Sequence, residues 1–111
     1  MAEVQLTPEL LAAVAERFKV LSEPTRLQIL STLRDGESTV SKLVDSTGLG
    51  QANVSKHLQI LHVTGFVTRR REGLYVYYRL AGNEVFELCD IICDRLEEEI
   101  RARESLLGGE G

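Results

Sequence analysis

The stretch LGQANVSKHLQILHVTGFV, residues 49–67, decides how the rest of the chain is read. Val54, Leu58 and Leu61 recur at i, i+4 and i+7, the spacing that lines one edge of an α-helix, and Gly65 supplies a stop. Opposite that stripe stand Ala52, Ser55, Lys56 and Gln59, with Gln51 and Asn53 near the helix start. A helix that buries one edge and offers amides, a hydroxyl and an ammonium along the other suits a DNA major groove, where base edges present hydrogen-bonding groups. No acidic or bulky side chain sits on that edge to repel phosphate or clash with a base. A polar edge also serves plain solubility, so the flanking segments have to discriminate between the two readings.

Downstream, FVTRRREGLYVYYRL, residues 66–80, changes to strand chemistry: Val67, Tyr75, Val76, Tyr77 and Tyr78 favour extended backbone, and Glu72-Gly73 supplies a hairpin turn. Three consecutive arginines, Arg69, Arg70 and Arg71, cannot all project from one side of a strand, so at least one or two leave the hairpin where phosphate would neutralise them. Upstream the signals are helical. Thr7-Pro8 opens a first helix with Leu10, Leu11, Val14, Phe18 and Leu21 at helical spacing. Ser22-Glu23-Pro24 restarts the pattern with Leu27, Leu30 and Leu33, and Asp35-Gly36 ends it. Ser38 caps a third, short helix whose Val40, Leu43 and Val44 face inward and whose stop is Gly48. The expected fold class is mainly α with a small β-hairpin (α+β). Residues 1–107 are read as one domain and residues 108–111 as a flexible tail.

A chain of 111 residues with 43% hydrophobic and 27% charged side chains has the composition of one soluble globular domain. Its core is modest at this size, and a second copy would add buried area. No run reaches the roughly 18–20 apolar residues of a membrane span, and the start lacks a signal-peptide pattern, so a cytoplasmic location with no membrane partner is expected. The net charge of -4 conceals an asymmetry. Lys42, Lys56, Arg69, Arg70, Arg71 and Arg79 face only Asp45 and Glu72 within residues 38–80, while the flanking segments are acidic. The middle alone attracts a polyanion. No phosphate-binding glycine loop, zinc-hydrolase motif or nucleophile beside a base is present, which argues against an enzyme.

The segments EPTRLQIL, NVSKHLQIL and REGLYVYYRL, in that order and at those spacings, resemble the ArsR/SmtB family of bacterial winged helix-turn-helix repressors over residues 10–100. The resemblance implies a homodimer built largely from the first and last helices. It implies binding of double-stranded DNA at an imperfect inverted repeat in an operator, and release by an inducer. It places base contacts in the N-terminal half of the recognition helix, which by motif match falls on Gln51, Ala52, Asn53, Ser55, Lys56 and His57. His57 lies on the flank of the exposed edge. Arg69, Arg70 and Arg71, with Lys42, are the phosphate candidates.

The sensing site departs from the family's best-known patterns. The third helix, STVSKLVDST, has no Cys-X-Cys, the last helix has no histidine for zinc, and the second helix has no cysteine for a two-helix persulfide sensor. What remains is FELCDIICDRL, residues 86–96, with Cys89 and Cys93 at i and i+4 on one helix face. A disulfide between them would be strained, but both thiolates can grip one soft centre such as As(III) or a soft metal ion, or respond to an oxidant. Equally, Val85, Leu88, Cys89, Ile92, Leu96 and Ile100 follow a packing stripe that Cys93 borders, and cysteine packs well as a small apolar residue. No cofactor is required for folding. Alternatives to a thiol sensor are a regulator without a metal site, or a winged-helix module for protein interaction.

Overall fold

A computed structural model describes residues 5–107; the segment expected as a tail, residues 108–111, lies outside the described residues. The order of elements is α1 (Pro8–Leu21), α2 (Pro24–Leu33), α3 (Val40–Thr47), α4 (Gln51–Val63), β1 (Val67–Glu72), β2 (Tyr75–Leu80) and α5 (Glu84–Leu107). They fall into two compact units that divide between Ala81 and Gly82, the first holding α1 to α4 with the hairpin and the second holding α5. Five helices and one antiparallel two-stranded sheet make the chain mainly helical α+β, as its periodicity indicates.

Local chemistry sets the helix ends. Thr7 accepts a hydrogen bond from the Leu10 amide at 3.1 Å and Pro8 begins α1, the pairing of cap and proline that the sequence announces. Glu23 performs the same service for α2, accepting from the Thr25 amide at 3.1 Å. At α3 the cap is Thr39, whose hydroxyl accepts from the Lys42 amide at 3.2 Å, one residue beyond the expected Ser38. Ser38 has another task. It is buried, and its backbone exchanges two hydrogen bonds with that of Tyr78, at 2.9 and 2.8 Å, fastening the hairpin to the segment before α3. Gly48 ends α3 in the left-handed conformation, φ 76°, where a side chain would be strained.

The core of the first unit is continuous. α2 touches α1, α3, α4 and β2, and α4 touches α2, α3 and β1. Ile29, Leu30 and Leu33 of α2, Leu43 of α3, Val54, Leu58 and Leu61 of α4 and Val67 of β1 are buried, as is Val20 near the end of α1. The α4 stripe is the one expected. In α2 the fully buried position is Ile29 rather than Leu27, which is half-buried, because α2 packs on several elements and no single stripe describes its inner surface.

The hairpin differs from expectation by one residue. Glu72 pairs with Tyr75, so the two-residue turn is Gly73-Leu74 rather than one centred on Glu72-Gly73. Gly73 has φ 61° and no residue other than glycine has a positive φ among the described residues, the pattern of a type II′ turn with glycine first.

α5 spans 24 residues, and in the single chain only Phe86 of it is buried. Leu88, Ile91, Ile92, Leu96 and Ile100 are exposed, and so are Leu11, Val14 and Phe18 of α1. Among the described residues no helix is long and apolar enough to cross a membrane.

Truncating Leu58 to alanine should lower stability by about 2–5 kcal/mol, since the side chain is wholly buried among large neighbours. Leu74→Ser at the exposed turn should stay within about 0.5 kcal/mol of the parent. Urea unfolding of both variants measures the contrast, and a cost at Leu74 as large as at Leu58 would contradict this placement of the core.

Candidate nucleic-acid interface

The geometry of α4 begins with the turn that feeds it. Thr47 donates its hydroxyl to the Leu43 carbonyl at 2.6 Å and accepts from the Leu49 amide at 3.2 Å, and Gln28 donates to the Thr47 carbonyl at 3.4 Å. These bonds hold the short passage from α3 to α4 against α2. Gly50 caps α4 without a side-chain hydrogen bond, and the first turn carries no acidic residue. No capping oxygen therefore competes with a phosphate for the positive end of the helix.

Gln51, Ala52, Asn53, Ser55, Lys56 and Gln59 are all exposed, while Val54, Leu58 and Leu61 face the core. One helix thus carries a dry edge and a hydrogen-bonding edge. His57, expected on the flank of the exposed edge, lies on the dry side. It is only 8% exposed, and its Nδ1 accepts a hydrogen bond from Arg26 Nε at 3.1 Å. Burial holds the imidazole below its ordinary pKa, reinforced by the charges of Arg26 and Lys56 and opposed by that of Glu23.

The wing separates its three arginines by register. Arg69 lies opposite Tyr78, Arg70 opposite Tyr77 and Arg71 opposite Val76, so Arg69 and Arg71 share one face and Arg70 takes the other. All three contribute to a cleft of about 340 Å³ with Val76 and Tyr78. Among the described residues, Arg70 alone of the three forms an ion pair. Its guanidinium donates to both oxygens of Glu37, at 2.6 and 3.1 Å, and to Glu72 at 2.9 Å, and it lies 4.6 Å from the centre of the Tyr77 ring. The Arg70 hydrogen bond holds the Glu37 carboxyl below its usual range, and the two carboxylates raise the pKa of Arg70. This latch is therefore present at neutral pH and is lost as acid protonates Glu37. Lys42 is exposed on α3 and lines a smaller cleft with Asp35 and Glu37, an acidic setting for a phosphate ligand.

Cys89 is half-buried and Cys93 exposed, both as thiols. Among the described residues no group of three or more His, Cys, Asp or Glu side chains is gathered where it could hold a metal ion.

A helix-turn-helix with an exposed polar edge on its second helix, followed by a basic two-stranded wing, defines a winged helix-turn-helix domain. The model of the bacterial regulatory protein arsR family matches residues 23–69, from the cap of α2 into β1. A transcriptional repressor SmtB homolog of Synechocystis sp. is 35% identical over 99 residues, covering 85% of this chain and 75% of that protein. The HTH-type transcriptional repressor SmtB of Mycobacterium tuberculosis is 40% identical over 77 residues, covering 69% and 57%. Among solved structures, the homodimeric winged helix-turn-helix DNA-binding domain of Mb0332 from Mycobacterium bovis, a possible ArsR-family transcriptional regulator, superposes with a TM-score of 0.75 at 37% identity. That match covers 89% of this chain and 95% of the other. The chain belongs to the ArsR family of DNA-binding transcriptional regulators, which are not enzymes. It spans between 39% and 58% of the length of four of the curated relatives it matches.

The wing geometry separates its cations by their ion-pair partners. Replacing Arg69 or Arg71 with glutamine should reduce the slope of log affinity for duplex DNA against log salt by about 0.9 each, the release expected for one phosphate contact. Arg70→Gln should reduce it clearly less, because two carboxylates already neutralise that guanidinium. Fluorescence anisotropy over a salt series distinguishes these outcomes, and an equal drop at Arg70 would mean that DNA displaces Glu37 and Glu72.

Proposed function

We propose that the protein is a bacterial transcriptional repressor that holds an operator inverted repeat as a homodimer and lets go when an inducer binds. The observation that carries this reading is the division of α4 into a wholly buried stripe and a fully presented polar edge beside a cationic wing. Gln51, Ala52, Asn53, Ser55 and Lys56 read bases in the major groove; Arg69 and Arg71 meet phosphates, with Lys42 in a lesser part. Residues 1–107 act as one winged helix-turn-helix domain in the cytoplasm.

Homodimerisation is supported by the apolar side chains that the single chain leaves uncovered. Leu11, Val14 and Phe18 on α1 and Leu88, Ile92, Leu96 and Ile100 on α5 are each 37% or more exposed, far more apolar surface than a small monomer needs to present. A second copy covers them, as the homodimeric state of the M. bovis relative suggests by analogy. A two-fold dimer sets its recognition helices about 34 Å apart to meet successive major grooves, and an inducer that favours another spacing empties the operator.

For the inducer, the favoured reading is a thiophilic one, As(III), a soft metal ion or an oxidant, met by Cys89 and Cys93. Their i, i+4 spacing on a regular helix and the exposure of Cys93 support it. A second reading, in which the cysteines only pack, is favoured by the half-burial of Cys89 within the apolar stripe.

Lys56→Ala and Gln51→Ala should each weaken operator binding much more than binding to random duplex, by about 1–3 kcal/mol on the operator. Equal losses on both DNAs, measured by mobility shift, would remove the base-reading assignment. Replacing Cys89 and Cys93 together with serine should abolish release of DNA by arsenite; unchanged release would leave the packing reading in its place.

A further inference from the structure

We infer that Arg26 and His57 form a positioning pair that fixes α4, and with it the base-reading edge, against the C-terminal end of α1. This rests on the operator-binding reading above and names a determinant of it that touches no DNA.

The pair begins with an orphaned carbonyl. Val20 lies in the last turn of α1, and the residue four positions on, which would donate if the helix continued, is Pro24 with no N–H. Arg26 supplies the missing donor, its Nη1 lying 3.3 Å from the Val20 carbonyl oxygen. Its Nε points the other way and donates to His57 Nδ1 at 3.1 Å. One planar guanidinium on α2 therefore ties the end of α1 to the middle of α4, in a fork whose two bonds cannot be adjusted independently.

The chemistry assigns the protonation state. A guanidinium has only donors, so Nδ1 must keep its lone pair and the ring proton sits on Nε2. Protonating His57 removes the acceptor and sets two cations against each other across a hydrogen-bond distance. The charged groups acting on the imidazole are Arg26 on α2, Glu23 at the cap of α2 and Lys56 on α4, two cations to one anion. Folded His57 resists protonation, whereas in an unfolded or loosened state it titrates at about 6.5. The folded pair is accordingly intact through the free-imidazole range and is lost only as the pH falls through the lowered pKa of folded His57, while its contribution to stability declines from about 6.5 downward.

The sign of the effect is diagnostic. This chain is acidic, with a net charge of -4, and lowering the pH removes negative charge, which strengthens nonspecific attraction to DNA. A positioning role for the pair predicts the opposite trend for the operator alone.

The test uses the full chain and the tightest duplex that the wild-type protein selects from a random pool. His57→Asn keeps a neutral acceptor at the δ position and cannot titrate; His57→Leu removes the acceptor, and Arg26→Lys removes the fork. At neutral pH, His57→Leu and Arg26→Lys should each lose about tenfold or more in affinity for the selected duplex with random-duplex binding unchanged, while His57→Asn stays close to wild type. As the pH falls below the ordinary imidazole range and through the lowered pKa of folded His57, the wild type should weaken on the selected duplex and His57→Asn should not. Should His57→Leu fail to fold, the pH profile of His57→Asn against wild type still decides. Identical pH profiles for those two proteins, or wild-type affinity in Arg26→Lys, would overturn the pair. Failure of the wild type to select any duplex would instead overturn the operator reading, and the pair's role with it.

Discussion

Burial of one edge of α4 is the constraint on which the rest of this structure depends. Val54, Leu58 and Leu61 are fully enclosed, together with Ile29, Leu30, Leu43 and Val67 from the elements around them. Each such side chain contributes about 1.5–3 kcal/mol by leaving water. Turning α4 by a single residue, about 100°, would drag that stripe into solvent and bring Ser55 and Gln59, or Asn53, inward without partners. The helix therefore has one rotational setting, and the polar edge faces outward because the apolar edge cannot. Gly48, at φ 76°, lets the chain enter that setting over a very short turn, and the Ser38–Tyr78 bridge holds the wing beside it.

Charge is arranged as carefully as packing. A protein with more acidic than basic residues binds DNA only if its cations are gathered, and six of its thirteen Lys and Arg side chains lie within residues 38–80. Even there the wing is tempered. Arg70 faces Glu37 and Glu72, so the triplet of arginines offers a polyanion less than three full charges. Because these groups are half-exposed, their contribution to folding is small, and their larger effect is on the field that the wing presents. A muted wing draws a polyanion less strongly than three free arginines would.

The exposed apolar side chains of α1 and α5 set the other requirement. A chain this small encloses a modest core, and here that core belongs to α2, α3, α4 and the hairpin, with the longest helix left almost bare. Cys89 and Cys93 lie in that helix, the first half-buried and the second exposed.

Sequence alone determined what is local: the Thr7-Pro8 and Glu23-Pro24 helix starts, the Gly48 stop, the inner stripe and outer edge of α4, and the existence of a basic hairpin. Periodicity and capping involve residues within one or two turns, so their consequences can be read without knowing what packs on what. Tertiary structure alone decided the rest. Ser38 rather than Thr39 was the expected cap because both are good caps, and only the strand arriving at Tyr78 shows which one is needed elsewhere. In sequence His57 flanks a polar edge and Arg70 resembles its neighbours; in the fold His57 meets Arg26, 31 positions away, and Arg70 meets Glu37, 33 positions away. The physical reason is common to all three: a hydrogen bond or ion pair has directional partners, and no pattern within a segment reveals a partner that the fold brings from outside it.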